Sequence, residues 1–335
     1  MAETHRVAPR RHGPPVVALG GGHGLSQTLK ALRRITDDVT AIVGVADDGG
    51  SSGRLRKEFD VVPPGDLRMA LAALCGDDAW GRTWSRVMQH RFGGTGELAG
   101  HATGNLLITA LWEETGNVVE GLDWVAALLG AHGRVLPVAT TPLSIIATMQ
   151  GVDPAQPQAI TQVRGQVKLE HSPGTVIELR VEPANPDACP EAVAALHAAE
   201  AIVLGPGSWY TSVLPHLLVP GVREALADTS AKRLLVLNLH AQRGDTEQFH
   251  SHTYLEVWAD QFPNVALDWV LADPRFVDDV EQLNKACELV GAQLVPEKLA
   301  IAEGSIRGKS PRHDAHLLAA ALGLVLGRGS ISAWQ

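Results

Sequence analysis

The stretch from Val16 to Ala46 constrains this chain more than any other. Val16-Val17-Ala18-Leu19 is an apolar run stopped by Gly20-Gly21-Gly22; Leu25, Leu29 and Leu32 then recur at helical spacing, and Thr40 to Ala46 is apolar again. Buried run, glycine turn, 3.6-residue period and second buried run read as strand, turn, helix, strand. Strands joined through a helix are parallel, and parallel strands are buried on both faces, so this opening commits the chain to an α/β sheet covered by helices.

The remaining pattern is consistent with that opening. Helical periodicity occupies most of residues 66–130. From Val135 to Val181 the texture turns to β-branched stretches separated by Gly and Pro, including Gln162 to Leu169 and Thr175 to Val181, which predicts a small β-rich insertion or flank over about 135–183. Ala201-Ile202-Val203-Leu204, Leu234-Leu235-Val236-Leu237 and Ala266 to Leu271 then read as buried strands between helical segments. We expect a doubly wound, mostly parallel sheet in a single domain over residues 15–335. Residues 1–14, rich in His, Arg and Pro and without periodicity, are expected to be a disordered tail. No internal repeat or low-complexity linker separates a second domain.

Composition narrows the function classes. A formal net charge of -9 opposes the broad cationic surface that nucleic-acid binding requires. Cys75, Cys189 and Cys287 are odd in number and contain no CxxC pair, so neither a disulfide framework nor a thiolate metal site is expected. Met1 to Pro15 has no apolar segment, and the run Leu317 to Leu326 is too short to span a bilayer; the expectation is a cytoplasmic protein with no export signal and no membrane span.

Several segments bring together groups suited to a small anionic ligand. Gly20-Gly21-Gly22-His23-Gly24-Leu25-Ser26 lies between strand and helix, where backbone N–H groups and the helix N-terminus face an anion; it is neither a Walker A loop nor the dinucleotide fingerprint, and its plainer reading is a tight packing turn. Asp47 to Arg56 reads as a polar loop uniting carboxylates, glycines, Ser51, Ser52 and two arginines. There Asp48 is placed to accept from a ribose hydroxyl or hold a divalent cation, and Arg54 or Arg56 to pair with phosphate. Pro63-Pro64-Gly65-Asp66-Leu67-Arg68 reads as a turn with Asp66 as N-cap, and Asp66 and Arg68 could border the same cleft. Gly100 to Asn105 opens another helix. Leu204-Gly205-Pro206-Gly207-Ser208-Trp209-Tyr210-Thr211-Ser212 repeats the strand-glycine-hydroxyl arrangement, and Asn238 to Thr246 supplies amide, imidazole and carboxylate groups suited to sugar hydroxyls. His250-Ser251-His252 and His313-Asp314-Ala315-His316 lack recognisable further ligands, so no metal site is expected there.

The ordered blocks GGGHGLS, ADDGGSSGRLR, PPGDLRMAL, GHATGNL, VLGPGSWYTSVLP and NLHAQRGDT, spanning Val16 to Asp245, resemble the gluconeogenesis factor family, the YvcK-like proteins of bacteria, and are also similar to 2-phospho-lactate transferase (CofD). The resemblance implies a Rossmann-like core, UDP-sugar binding, growth on gluconeogenic carbon, and a link to cell-wall precursor supply and cell shape. Carried over by position, it implies phosphate contacts from Gly21, Gly22, Gly24, Leu25, Ser26, Gly207, Ser208 and Thr211, with Asp48 and Asn105 lining the cleft and Arg312 near the sugar nucleotide. His23 stands where many relatives have threonine, and His240-Ala241-Gln242-Arg243 where they often have a methionine-containing stretch.

The expected ligand set is therefore Gly21, Gly22, Gly24, Leu25, Ser26, Asp48, Ser51, Ser52, Arg54, Asp66, Arg68, Asn105, Gly207, Ser208, Thr211, Asn238, Gln242 and Arg312. The expected function is a UDP-N-acetylglucosamine-like sugar-nucleotide sensor that contacts a cytoplasmic protein partner, with a homo-oligomer as the expected assembly. The alternative is a 2-phospho-lactate-type transferase, for which Asp48 or Asp66 would hold Mg2+. A nicotinamide-dependent oxidoreductase ranks last, because Leu25 breaks the dinucleotide fingerprint.

Overall fold

The computed structural model describes residues 13–242, 246–301 and 311–327. Of the expected tail, only Gly13 and Pro14 fall among them. Seven parallel strands form the main sheet: β1 (Val16–Gly20), β2 (Val39–Val43), β3 (Arg134–Pro137), and, after the three strands of a separate sheet, β7 (Ala201–Leu204), β8 (Lys232–Val236), β9 (Trp269–Ala272) and β10 (Gln293–Pro296). Their spatial order is β10-β9-β8-β7-β1-β2-β3. β1 is buried along its whole length and pairs in register with both neighbours, Leu19 lying opposite Ile42 on one side and Leu204 on the other. A strand made of Val, Ala and Leu with no polar face can only sit in the middle of a covered sheet.

The strand order reverses between β1 and β7: the chain leaves β1 toward β2 and β3, and leaves β7 toward β8, β9 and β10. Open α/β sheets bind ligands in the crevice outside the carboxyl ends of strands at such a switch point. Here the two glycine turns read from the sequence end these two strands, side by side.

The β2-to-β3 crossover carries five helices, Gly50–Phe59, Pro64–Leu74, Ala79–Gln89, Thr103–Thr115 and Val118–Leu129. Their ends follow local chemistry. Asp78 accepts from Gly81 N–H, Asn117 accepts from Val119 and Glu120 N–H, and Gly116 and Gly130 close their helices at φ 64° and 59°. The first of the five differs from the polar loop expected over Asp47 to Arg56, since residues from Gly50 onward are helical. The β-rich flank is a three-stranded antiparallel sheet of β4 (Ser144–Gln150), β5 (Ile160–Arg164) and β6 (Thr175–Glu182), in the order β5-β4-β6. β3, inside the expected flank, belongs instead to the main sheet, paired with β2. The stretch Gln162 to Leu169 is not one strand, because the chain turns at Gly165 (φ 98°) into the helix Gln166–His171.

The final helix, Ala315–Val325, is capped by Asp314 and packs against the Gly22–Leu32 helix. The core is continuous from Leu25, Leu29 and Leu32 through Ile42 to Trp258, all fully buried. Among the described residues, no helix is long and apolar enough to cross a membrane.

Candidate functional site

The two glycine turns touch each other. A Cβ on Gly24 would lie 2.6 Å from the Pro206 carbonyl carbon and 3.1 Å from Gly207 Cα, so only glycine lets the first turn of the Gly22–Leu32 helix rest on the turn after β7. Thr28 Oγ1 donates to Gly205 O at 2.8 Å and ties helix to turn from below. From the end of β8, Asn238 clamps the second turn, its Oδ1 accepting from Gly207 N–H (3.0 Å) and its Nδ2 donating to Gly207 O (2.7 Å). The Gly207 N–H is thereby used within the protein. Beyond it the chain forms a π-helical turn, Trp209–Val213, and a short helix, Leu214–Leu217.

Above these turns lies a cleft of ≈ 220 Å³. His23, Gly24 and Gln27 form one wall and Pro206 and Gly207 the floor, with Asn238, Leu239, His240 and Gln242 beside them and Pro311, Arg312 and His313 opposite. Of the expected ligand residues the cleft brings together Gly24, Gly207, Asn238, Gln242 and Arg312. Its electrostatics are set by cations. Burial and then the charges of Arg312, Lys30 and Arg68 push the His23 imidazole below its usual range. Burial also pushes His313 down to about 4, so the ring is neutral near pH 7. Its Nε2 lies 3.1 Å from Leu237 O, and because a carbonyl only accepts, the proton sits on Nε2. In a chain of net charge -9, this is a local concentration of positive potential.

An acidic niche borders the other side of the first turn. Asp66 is not an N-cap: the Pro64–Leu74 helix starts two residues earlier, Pro63 occupies the cap position, and the Asp66 carboxylate accepts from Gly22 N–H. A Cβ on Gly21 would sit 2.5 Å from Asp66 Oδ2, so the carboxylate and the bare turn are in direct contact. Burial, Asp47 and Glu170 push Asp66 up to about 7, against the opposing Gly22 hydrogen bond and Arg68. Glu170 also accepts from Thr211 Oγ1 at 3.0 Å, and Thr211 in turn reaches Ser208 Oγ at 2.5 Å. Gly21, Gly22, Asp66, Ser208 and Thr211 therefore share this side. Leu25 and Ser26 are buried beneath the turn.

The remaining expected residues have other partners. Arg68, 4% exposed, donates through Nε to Asn105 Oδ1 (2.8 Å) and through Nη1 to Gln89 Oε1; Asn105 Nδ2 donates to Ser51 Oγ (3.0 Å), which also meets His101 Nδ1 (3.0 Å). Ser52 lies 3.5 Å from Asn105 Nδ2. This network joins four helices of the crossover. Asp48 accepts from Val167 N–H at 3.0 Å and packs against Gly165, linking β2 to the small sheet, and Arg54 donates to the carbonyls of Glu97 and Ala99. Sequence reasoning did not assign His23, Gln27, His240 or His313 to the ligand set. His313 follows Arg312 directly, and His23 lies within the first glycine turn, which were the signals available. Among the described residues, no group of three or more His, Cys, Asp or Glu is arranged to hold a metal ion.

Residues 16–297 match the family model described as 2-phospho-L-lactate transferase CofD. A protein described as a putative gluconeogenesis factor from Mycobacterium tuberculosis is 48% identical over 316 residues, covering 93% of this chain and 90% of the relative. A gluconeogenesis factor from Halalkalibacterium halodurans is 34% identical over 282 residues, covering 84% of each. A crystal structure of a UPF0052 family member from Bacillus halodurans superposes with a TM-score of 0.81 at 30% identity, covering 93% of this chain and 99% of that one.

Proposed function

This chain belongs to the CofD family, and within it to the gluconeogenesis factors, and from that premise we propose that it binds a UDP-sugar of the UDP-N-acetylglucosamine type in the switch-point cleft as a cytoplasmic regulator. Bound ligand would alter which protein partner it contacts and so link carbon metabolism to cell-wall precursor supply and cell shape. The observation that carries this reading is geometric: the glycine backbone of Gly24 and Gly207 and the Arg312 side chain line one cleft at the switch point of the sheet. Gln27 and Gln242 add uncharged donors and acceptors of the kind that suit sugar hydroxyls.

One observation favours a transferase instead. Asp66 faces the first glycine turn, with Asp47 beside Gly65 and close enough to raise the Asp66 pKa, and such carboxylates would hold a divalent cation such as Mg2+ against a diphosphate. Binding without turnover is supported over this by the cleft itself, whose described lining includes no carboxylate.

Thermal unfolding with UDP-N-acetylglucosamine, UMP and free N-acetylglucosamine tests the reading. At about 100 times Kd a ligand stabilises by about 2.7 kcal/mol. The nucleotide sugar should raise Tm more than UMP, and the free sugar should leave it unchanged. No shift with any phosphorylated ligand at millimolar concentration would contradict it.

A further inference from the structure

Arg312 is exposed at the lip of the cleft. Its backbone, however, is fastened. Ala300 forms an antiparallel bridge with His313, and Asp314 N–H donates to Leu299 O at 2.8 Å, so residues 299–300 and 313–314 run together beside the cleft. Behind this pair lies Asp273, one residue past the end of β9, with its side chain fully buried. One carboxylate oxygen accepts from Leu299 N–H (2.8 Å), Ala300 N–H (3.2 Å) and Arg275 Nη2 (2.6 Å); the other accepts from Arg275 Nε (2.9 Å) and its backbone N–H (3.2 Å). Arg275 Nη2 also donates to Ala300 O at 2.6 Å, closing the arrangement.

We propose that Asp273, with Arg275, is a positioning residue for the Arg312–His313 wall: it holds Leu299 and Ala300, these hold His313, and the fixed backbone aims Arg312 at the ligand anion. The proposal rests on the reading of the cleft as an anion site. Burial opposes the charge on Asp273, but the hydrogen bonds from Arg275, Leu299 and Ala300 outweigh it and hold the carboxyl well below its usual range, so these contacts are strong ones. Among the described residues, His313 also reaches Leu237 O and Asp314 caps the last helix, while the N–H groups of Leu299 and Ala300 end on Asp273. Without the carboxylate both are left buried without an acceptor of comparable strength. Fixed geometry, and not the charge of Arg312 alone, converts a long flexible cation into a specific contact.

Asp273→Asn keeps the shape and removes the charge. In amide hydrogen exchange, Leu299, Ala300 and Asp314 should exchange at least about tenfold faster in this variant, while amides of β1 and β7 stay protected as in wild type. In titrations with UDP-N-acetylglucosamine, Asp273→Asn should weaken binding about 5- to 30-fold in the wild-type background and less than about twofold in an Arg312→Ala background, because it acts through that arginine. Equal losses in both backgrounds, or unchanged exchange at the three amides, would overturn the proposal. A wild-type protein that binds no UDP-sugar refutes the anion-site reading and the proposal with it. A wild-type protein that binds while Asp273→Asn binds equally well refutes the proposal alone. Should Asp273→Asn fail to fold, Arg275→Lys, which loses the two-pronged contact but keeps the charge, is read by the same two assays.

Discussion

Replacing Gly24 by alanine sets two physical effects against each other. Gly24 lies inside the Gly22–Leu32 helix, and helix propensity alone favours alanine there by about 1 kcal/mol. The new Cβ, however, would sit 2.6 Å from the Pro206 carbonyl carbon and would overlap its oxygen, so reaching ordinary contact with that oxygen requires the two turns to part by more than about 1 Å. Both partners are backbone, and neither can rotate away. Overpacking costs roughly 1–3 kcal/mol, and with rigid backbone on both sides the upper end applies, so after the gain in helix propensity the net change is a destabilisation of about 2 kcal/mol. With an unfolding entropy of about 0.7 kcal/mol/K for a chain of this length, Tm should fall by about 3 °C. Parting the turns also displaces Gly207 from its Asn238 clamp at the floor of the cleft, so affinity for a nucleotide sugar should fall by about tenfold or more. Calorimetric unfolding and ligand titration measure the two effects. Gly93→Ala, where a Cβ meets nothing within 4 Å, is the control and should stay within about 0.5 kcal/mol of wild type. A Tm at or above wild type for Gly24→Ala, with binding intact, would show that the two turns do not bear on each other as described.

Other perturbations give independent checks. Asp66 is raised to about 7 in the fold, so between the unfolded carboxyl range near 4 and pH 7 the native state holds a proton that the unfolded chain has lost, and stability declines as pH rises through that window. Asp66→Asn should flatten this decline in denaturant titrations at pH 5 and pH 8; an unchanged slope would remove Asp66 from the niche. Arg312→Ala removes one of the charges that depress His23, so the His23 titration followed by NMR should move up toward the ordinary histidine range. Asn238→Ala strips both hydrogen bonds from Gly207 and should cost about 1–3 kcal/mol in chemical denaturation, along with ligand affinity. Asn117→Ala, remote from the cleft, should lose about 1 kcal/mol from its helix cap and leave ligand affinity unchanged.

The sheet and its two glycine turns were legible because their signals are local: β1 and β7 are apolar runs that end at glycines, and parallel pairing follows from the helices between strands. The Gly50–Phe59 helix was not. Its glycines and serines have low helix propensity, and it is held by tertiary contacts, among them Asn105 to Ser51, Arg54 to the Glu97 and Ala99 carbonyls, and Arg56 to the Leu143 carbonyl. The same limit separates the ligand residues. Gly24, Gly207, Asn238, Gln242 and Arg312 meet in the cleft, whereas Ser51, Ser52, Arg68 and Asn105 satisfy one another in a buried network. Polar residues near glycines look alike in sequence whether a ligand or a neighbouring helix takes their hydrogen bonds. The role of Asp273 was not legible, since beyond its neighbour Arg275 the N–H groups it holds lie 26 and 27 residues along the chain.

The central claim, that the switch-point cleft binds a sugar nucleotide without consuming it, is tested most directly by calorimetric titration of the protein with UDP-N-acetylglucosamine, with and without magnesium, followed by chromatography of the recovered ligand. Saturable binding, weakened by Arg312→Ala and with the ligand recovered intact, is the predicted result. Magnesium-dependent consumption of the ligand, or no binding at millimolar concentration, would contradict it.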